Sequence, residues 1–217
     1  RGGKGPSGLL AGLASRGADL PKLVRQHLSL TALSVALAAL VGIPLGIALT
    51  RWPALAPPVL AAAGVLQTIP ALALLAFFIP LPGLGLGPRS AILALALYAL
   101  LPILRNTWTG LRGVDPGVLE AARGMGLSPR QVLTMVELPL AVPTIMAGLR
   151  TSAVLTVGGA TLAAFIGAGG LGEPILTGLY LNDTARILSG AVPAALLAIL
   201  VDQGLGLVEA RLAPRGS

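Results

Sequence analysis

No cysteine occurs anywhere in the chain. Disulfides and thiolate metal sites are therefore excluded, and the redox compartment leaves no mark on the sequence. Histidine is nearly as scarce, with His27 alone. A histidine-dependent membrane protease or a multi-histidine metal enzyme lacks its parts. His27 stands just before the first apolar run, where an interfacial side chain is expected, and no metal site is expected. Aromatic residues amount to three Phe, two Trp and two Tyr, widely spaced. A dense aromatic cage for a cation within one copy of the chain is not expected. Charge is the most telling shortage. Only 11% of residues are charged, against about 25% in a soluble domain. A soluble fold of this length would struggle to cover its surface.

What is present is oil in runs. Hydrophobic residues make up 55% of the chain and the mean hydropathy is +0.88, which favours a bilayer over one large aqueous core. Leu28 to Thr50 is the clearest span, free of charge and about 35 Å long as a helix. Before it, LPKLVRQH reads as a short interfacial helix with Lys22 and Arg25 on its polar side. Leu55 to Leu81 is a second span containing four prolines, tolerated where neighbours re-satisfy the freed backbone groups. Ala91 to Leu104 is short and is expected to extend to Thr107 or beyond. Leu140 to Ile166 and Arg186 to Leu212 complete five spans, separated by a loop over 167–184. The division is thus a flexible extension and interfacial helix over 1–27, a membrane domain over 28–212 and a tail over 213–217.

The net charge of +7 does not indicate nucleic acid, because the arginines are scattered between apolar segments. Five spans place the two ends of the chain on opposite sides. Arg51, Arg105, Arg112, Arg123, Arg130, Arg211 and Arg215 then share one face. Arg89, Arg186 and the basic N-terminal segment share the other, which weakens the positive-inside argument.

Between the third and fourth spans the chain builds a charged unit, about 112–139. Asp115-Pro116 is a helix start, with Asp as N-cap and Pro at the first helical position. That helix is expected to stop near Gly126. Ser128 and Gln131 have capping-box spacing for a second helix, and Pro139 marks the return to the membrane. A surface helix pair joined to two spans is a lever, or else a well-capped connection. A DNA-reading helix-turn-helix needs a basic face on a soluble domain, and neither is visible.

The residues Glu120-Ala121-Ala122, then Gly126, then Val136 and Leu138-Pro139 resemble the EAA loop of ABC importer membrane subunits. Val136 departs mildly from that pattern, which usually has Ile. LQTIPALALL, LYALLPILRNTWTGLRGVDP and AAFIGAGGLGEPIL are similar to the branch serving glycine betaine, choline, carnitine and related osmoprotectants. The resemblance covers about 28–207. It implies an all-α membrane domain of about five spans, of the type I, methionine-importer-like kind. It implies a second permease copy, identical or paralogous, and a cytoplasmic ATPase that binds ATP and Mg. It also implies an extracellular or periplasmic substrate-binding protein. Asp115, Glu120, Ala121, Ala122, Arg123, Gly126, Leu138 and Pro139 would couple the chain to the ATPase. Small Ala121 and Ala122 would permit close approach, Gly126 a left-handed turn, and Glu120 and Arg123 pairing with partner charges.

Two apparent nucleotide motifs fail. The GAGGLG run from Gly167 has dinucleotide-fingerprint spacing but no βαβ context, and reads as a packing turn. RGGKG has the wrong spacing for a phosphate loop. With no Walker motif elsewhere, the chain is not expected to hydrolyse ATP. Arg150 and Asp202 are ionisable groups inside spans, costly unless paired, and are expected to pair across the bundle. Gln67, Thr68, Tyr98, Asn106, Thr151, Thr156 and Thr161 are the polar or aromatic candidates for a conduit, with packing hydrogen bonds the plainer role for most. The competing function is an ion-coupled secondary transporter of a small polar or cationic solute, which calls for a midplane ion site and often an internal repeat. Neither is clear here.

Overall fold

The computed structural model describes residues 19–212. The extension before Asp19 and the tail after Leu212, with Arg215, lie outside the described residues. Among the described residues every regular element is helical. In chain order they are α1 (Leu20–Arg51), α2 (Ala56–Thr68), α3 (Ala71–Phe78), α4 (Pro88–Arg112), α5 (Pro116–Gly124), α6 (Pro129–Val132), α7 (Leu138–Ala160), α8 (Gly172–Leu181) and α9 (Thr184–Leu212).

Four helical stretches are long and apolar enough to cross a membrane, and the α2–α3 pair makes a fifth if counted as one broken span. That break corrects the reading of a single span over 55–81. The two helices meet at 97°. Ile69 precedes Pro70, so the α region is disfavoured for it, and it is extended at φ −71°, ψ 127°. The segment before Leu28 is corrected as well. It is no separate interfacial helix but the first turns of α1, which runs unbroken for 32 residues. The expected loop over 167–184 likewise contains the ten-residue α8.

Helix α4 is the hub. It packs against α1 on one side, α7 on another, and α2 and α3 along its length. In its most apolar stretch 56% of residues are buried, against 11% in α9, so α9 leaves most of its flank for lipid or a partner. The close approach is made by small residues. A Cβ on Gly46 would lie 2.7 Å from Thr107 Cβ, one on Gly110 2.9 Å from Thr144 Cβ, and one on Gly148 2.6 Å from Asn106 Cβ. Between helices without a hydrophobic driving force, such contact is the main source of association.

One proline inside a span is met by a side chain from a neighbouring helix. Pro102 lacks the N–H that would bond the Tyr98 carbonyl four residues earlier. The Gln67 side chain reaches across from α2 and donates Nε2–H to that carbonyl at 2.8 Å. Replacing Gln67 by Leu orphans it. The expected loss is about 1–3 kcal/mol of stability, read as a lower unfolding temperature of the detergent-solubilised protein.

Candidate functional site

The charged unit after α4 is a compact elbow whose caps are local and explicit. Asp115 accepts from the Gly117 N–H at 2.6 Å, with Pro116 at the first helical position of α5. Gly126 is left-handed at φ 85° and turns the chain. Ser128 and Gln131 form the reciprocal capping box of α6. The second helix is not a separate unit, however. After one turn it widens into a π-helical segment, Leu133–Glu137, and continues as α7. Such insertions occur frequently at functional sites. Here the elbow joins the fourth span with no free linker.

On α5 only Ala122 is buried, at 2% exposure. Its side chain lies inside the elbow and not on its surface. Ala121, Glu120 and Arg123 are exposed. So are Val118 at 44% and Met125 at 74%. Val118, Ala121 and Met125 follow i, i+3, i+7 spacing and therefore share one face of the helix, an exposed apolar stripe beside the buried Ala122. Arg123 also rims a recess of about 270 Å³ with Arg51, Leu127, Pro129 and Val132. Leu138, with Leu133, is packed against the cluster of Leu111, Ala141 and Ile145, while Pro139 lies half-buried in the first turn of α7.

One anchor had no sequence signal. Arg51, the last residue of α1, bonds Glu137 in the π segment at 2.8 Å, and the Glu137 side chain is 8% exposed. A carboxylate so buried depends on its partner. The two residues are 86 positions apart, and only the fold brings them together.

At the other end of the bundle the structure overturns the reading of His27. It is fully buried. Its Nε2 lies 2.9 Å from the Val157 carbonyl, and its Nδ1 lies 3.3 Å from the Leu171 N–H. One ring nitrogen donates and the other accepts, which is the pattern of a neutral imidazole. The GAGGLG run passes directly over it. Gly169 and Gly170 are left-handed, at φ 83° and 85°, and Gly170 donates its N–H to Gln26 Oε1 at 3.2 Å. The run is a tight turn keyed to α1.

Arg150 and Asp202 meet through two hydrogen bonds, 3.1 and 3.0 Å, and Glu209 takes a third guanidinium nitrogen at 3.0 Å. Arg150 thus serves two carboxylates on α9. The third partner changes the charge-swap test. Exchanging the pair (Arg150→Glu with Asp202→Arg) sets the introduced carboxylate on α7 beside Glu209. Transport is expected to recover only in part in that double variant, and further when Glu209→Gln is added. Full recovery without the third change contradicts this arrangement.

The conduit candidates separate into groups. Gln67, Tyr98 and Thr156 line one cavity of about 290 Å³ where α2 breaks against α4 and α7. Thr151 lies with Arg150 and Asp202 in an open groove of about 600 Å³ between α7 and α9. Thr68, Asn106 and Thr161 line neither, and their side chains bond backbone carbonyls of their own helices.

With this geometry in place, comparison with known proteins decides the class. Residues 41–214 match the family model described as "Binding-protein-dependent transport system inner membrane component". The chain belongs to that family. A choline transport system permease protein of Bacillus subtilis is 47% identical over 94% of this permease and 93% of its own length. A carnitine transport permease protein of Listeria monocytogenes is 50% identical over 88% and 86%. The fold matches the MetNI methionine ABC transporter in an inward-facing conformation. The TM-score is 0.81 at 25% identity, covering 90% of the permease and 96% of that chain. The permease is therefore a membrane-embedded transport subunit of type I importer architecture, and the ion-coupled alternative is set aside.

Proposed function

We propose that this permease carries osmoprotectants, the quaternary ammonium or zwitterionic solutes of the glycine betaine, choline and carnitine class, into the cell under the drive of ATP. The observation that carries the reading is the high identity, over nearly the whole chain, to permeases whose names specify choline and carnitine. In this reading the elbow is cytoplasmic. Its Val118–Ala121–Met125 stripe seats in a groove of an ATPase subunit, with Glu120 and Arg123 beside it for charge pairing. The ATPase holds ATP and Mg. A second permease copy, identical or paralogous, completes the pore, and an extracellular or periplasmic binding protein delivers the solute.

The cavity of Gln67, Tyr98 and Thr156 is the solute's passage within this chain. It is neutral and mostly aliphatic, with a single aromatic ring. That suits brief residence of a methylated cation better than capture, since tight recognition of such groups uses several rings. Closure of the ATPase pair would rock the spans and alternate access.

The test is uptake of labelled choline, glycine betaine and carnitine into vesicles containing the permease, its ATPase and its binding protein. Uptake that requires internal ATP and no ion gradient is expected. Uptake that follows a sodium or proton gradient without ATP overturns the proposal.

A further inference from the structure

Helix α1 is tied down at both ends by contacts far apart in sequence. At the elbow end Arg51 bonds Glu137 at 2.8 Å. At the far end Gln26 and His27 receive the N–H groups of Gly170 and Leu171, and His27 Nε2–H donates to the Val157 carbonyl. Between these points the helix is closely packed. Gly42 and Gly46 fit closely against Ile103 and Thr107 of α4, and Ser34 Oγ donates to the Ile92 carbonyl at 3.2 Å. At 32 residues and about 1.5 Å per residue the helix reaches about 48 Å, the full depth of a bilayer.

The far-end turn is not an isolated ornament. Leu171 is fully buried where α1, α7 and α9 converge, with Val157, Ala194 and Leu197. Directly over it lies a cleft of about 330 Å³ whose lining includes Asp19, Lys22, Gln26, Glu173 and Arg186. Gln26 belongs to both the cleft and the turn. A cleft carrying two cations and two carboxylates on the face opposite the elbow is a surface for a charged protein partner. Pressure there meets α1 directly, and Gln26 carries it to the turn through the Gly170 N–H.

We propose that α1 is a transmission rod, with Gln26 and His27 as its outer latch and the Arg51–Glu137 pair as its inner latch, reporting occupancy of the outer cleft to the elbow. The partner at the cleft is the solute-loaded binding protein, so the inference rests on the importer reading above. These side chains touch neither solute nor nucleotide. They are positioning residues, and their effect falls on communication between the two faces. Two discrete seatings of the latched body, biased from either end, are what such coupling requires.

The measurement is ATPase rate in the complete reconstituted importer, with and without solute-loaded binding protein. Arg51→Gln and His27→Leu are each expected to reduce the stimulation ratio by about tenfold, within the range of ordinary coupling. Both variants should still retain the ATPase subunit. Arg51→Lys, which keeps the ion pair, should recover most of the ratio. Where His27→Leu does not assemble, Gln26→Ala removes one outer bond and takes its place. The double variant decides. Two breaks in one linkage are non-additive, so its ratio should fall no further than that of the worse single variant. Multiplicative losses, or an unchanged ratio in a single variant that retains the ATPase, overturn the proposal. An unsubstituted permease that retains no ATPase refutes the motor reading instead, so the two failures stay distinct.

Discussion

Aspartate at both Val118 and Met125 is expected to release the proposed ATPase subunit from the permease. Binding is expected to weaken on the order of 100-fold, because two well-packed interface side chains can together contribute about 3 kcal/mol and every ~1.4 kcal/mol is tenfold. Fold and membrane insertion should be unaffected. Both side chains are exposed, and the buried residue of α5 is Ala122. Co-purification at matched expression reads the effect. Retained ATPase in this variant, with transport intact, removes the stripe from the interface. A matched Ala122→Asp variant should differ in kind. It buries a carboxylate inside the elbow and is expected to lower stability as well as docking.

The second large effect lies within the bundle. A Cβ at Gly148 would stand 2.6 Å from Asn106 Cβ and 2.8 Å from the Pro102 carbonyl oxygen. One of those neighbours is backbone of the central helix, so it cannot rotate away. Gly148→Val must therefore part α4 from α7, and overpacking of this kind costs about 1–3 kcal/mol or more. The expected readout is a marked fall in unfolding temperature and in the yield of folded protein from detergent. Gly204→Val is the control, since no heavy atom lies within 4 Å of its Cβ position. Equal stability of the two variants would mean that α4 and α7 do not approach as described.

These two sites differ in how far the sequence discloses them. The elbow is legible because capping is local. Asp115 with Pro116, and Ser128 with Gln131, act within four residues, and their spacing alone specifies the helix starts. The spans are legible because a bilayer demands long apolar runs. Their ends are not, because Lys22 and Arg25 are exposed at the start of α1 and interrupt nothing. The break at Ile69–Pro70 is hidden among four prolines, three of which lie outside that hinge. Helix α8 is too short to span and is bounded by glycine and asparagine, so its sequence reads as loop.

Long-range pairing is the part out of reach. His27 looks interfacial in the sequence because its partners stand 130 and 144 residues away. Burial depends on that neighbourhood and not on its place before an apolar run. Arg51 and Glu137 carry no signal for the same reason. Arg150 and Asp202 can be singled out because charge inside a span requires a partner. Glu209 stays hidden because it lies near the end of α9, where charge is ordinary. On α5, alanine at both 121 and 122 gives no hint that one is exposed and the other is buried within the elbow.

The central claim is that the elbow is the seat of a nucleotide-driven subunit, and the absence of cysteine from the chain makes it directly testable. A single cysteine introduced by Ala121→Cys carries a photo-activated thiol cross-linker in membranes containing the whole importer. The label is expected to capture the ATPase subunit, with a yield that changes when ATP is added. Capture of the solute-binding protein instead, or reaction of that cysteine with an impermeant reagent applied from outside the cell, contradicts it.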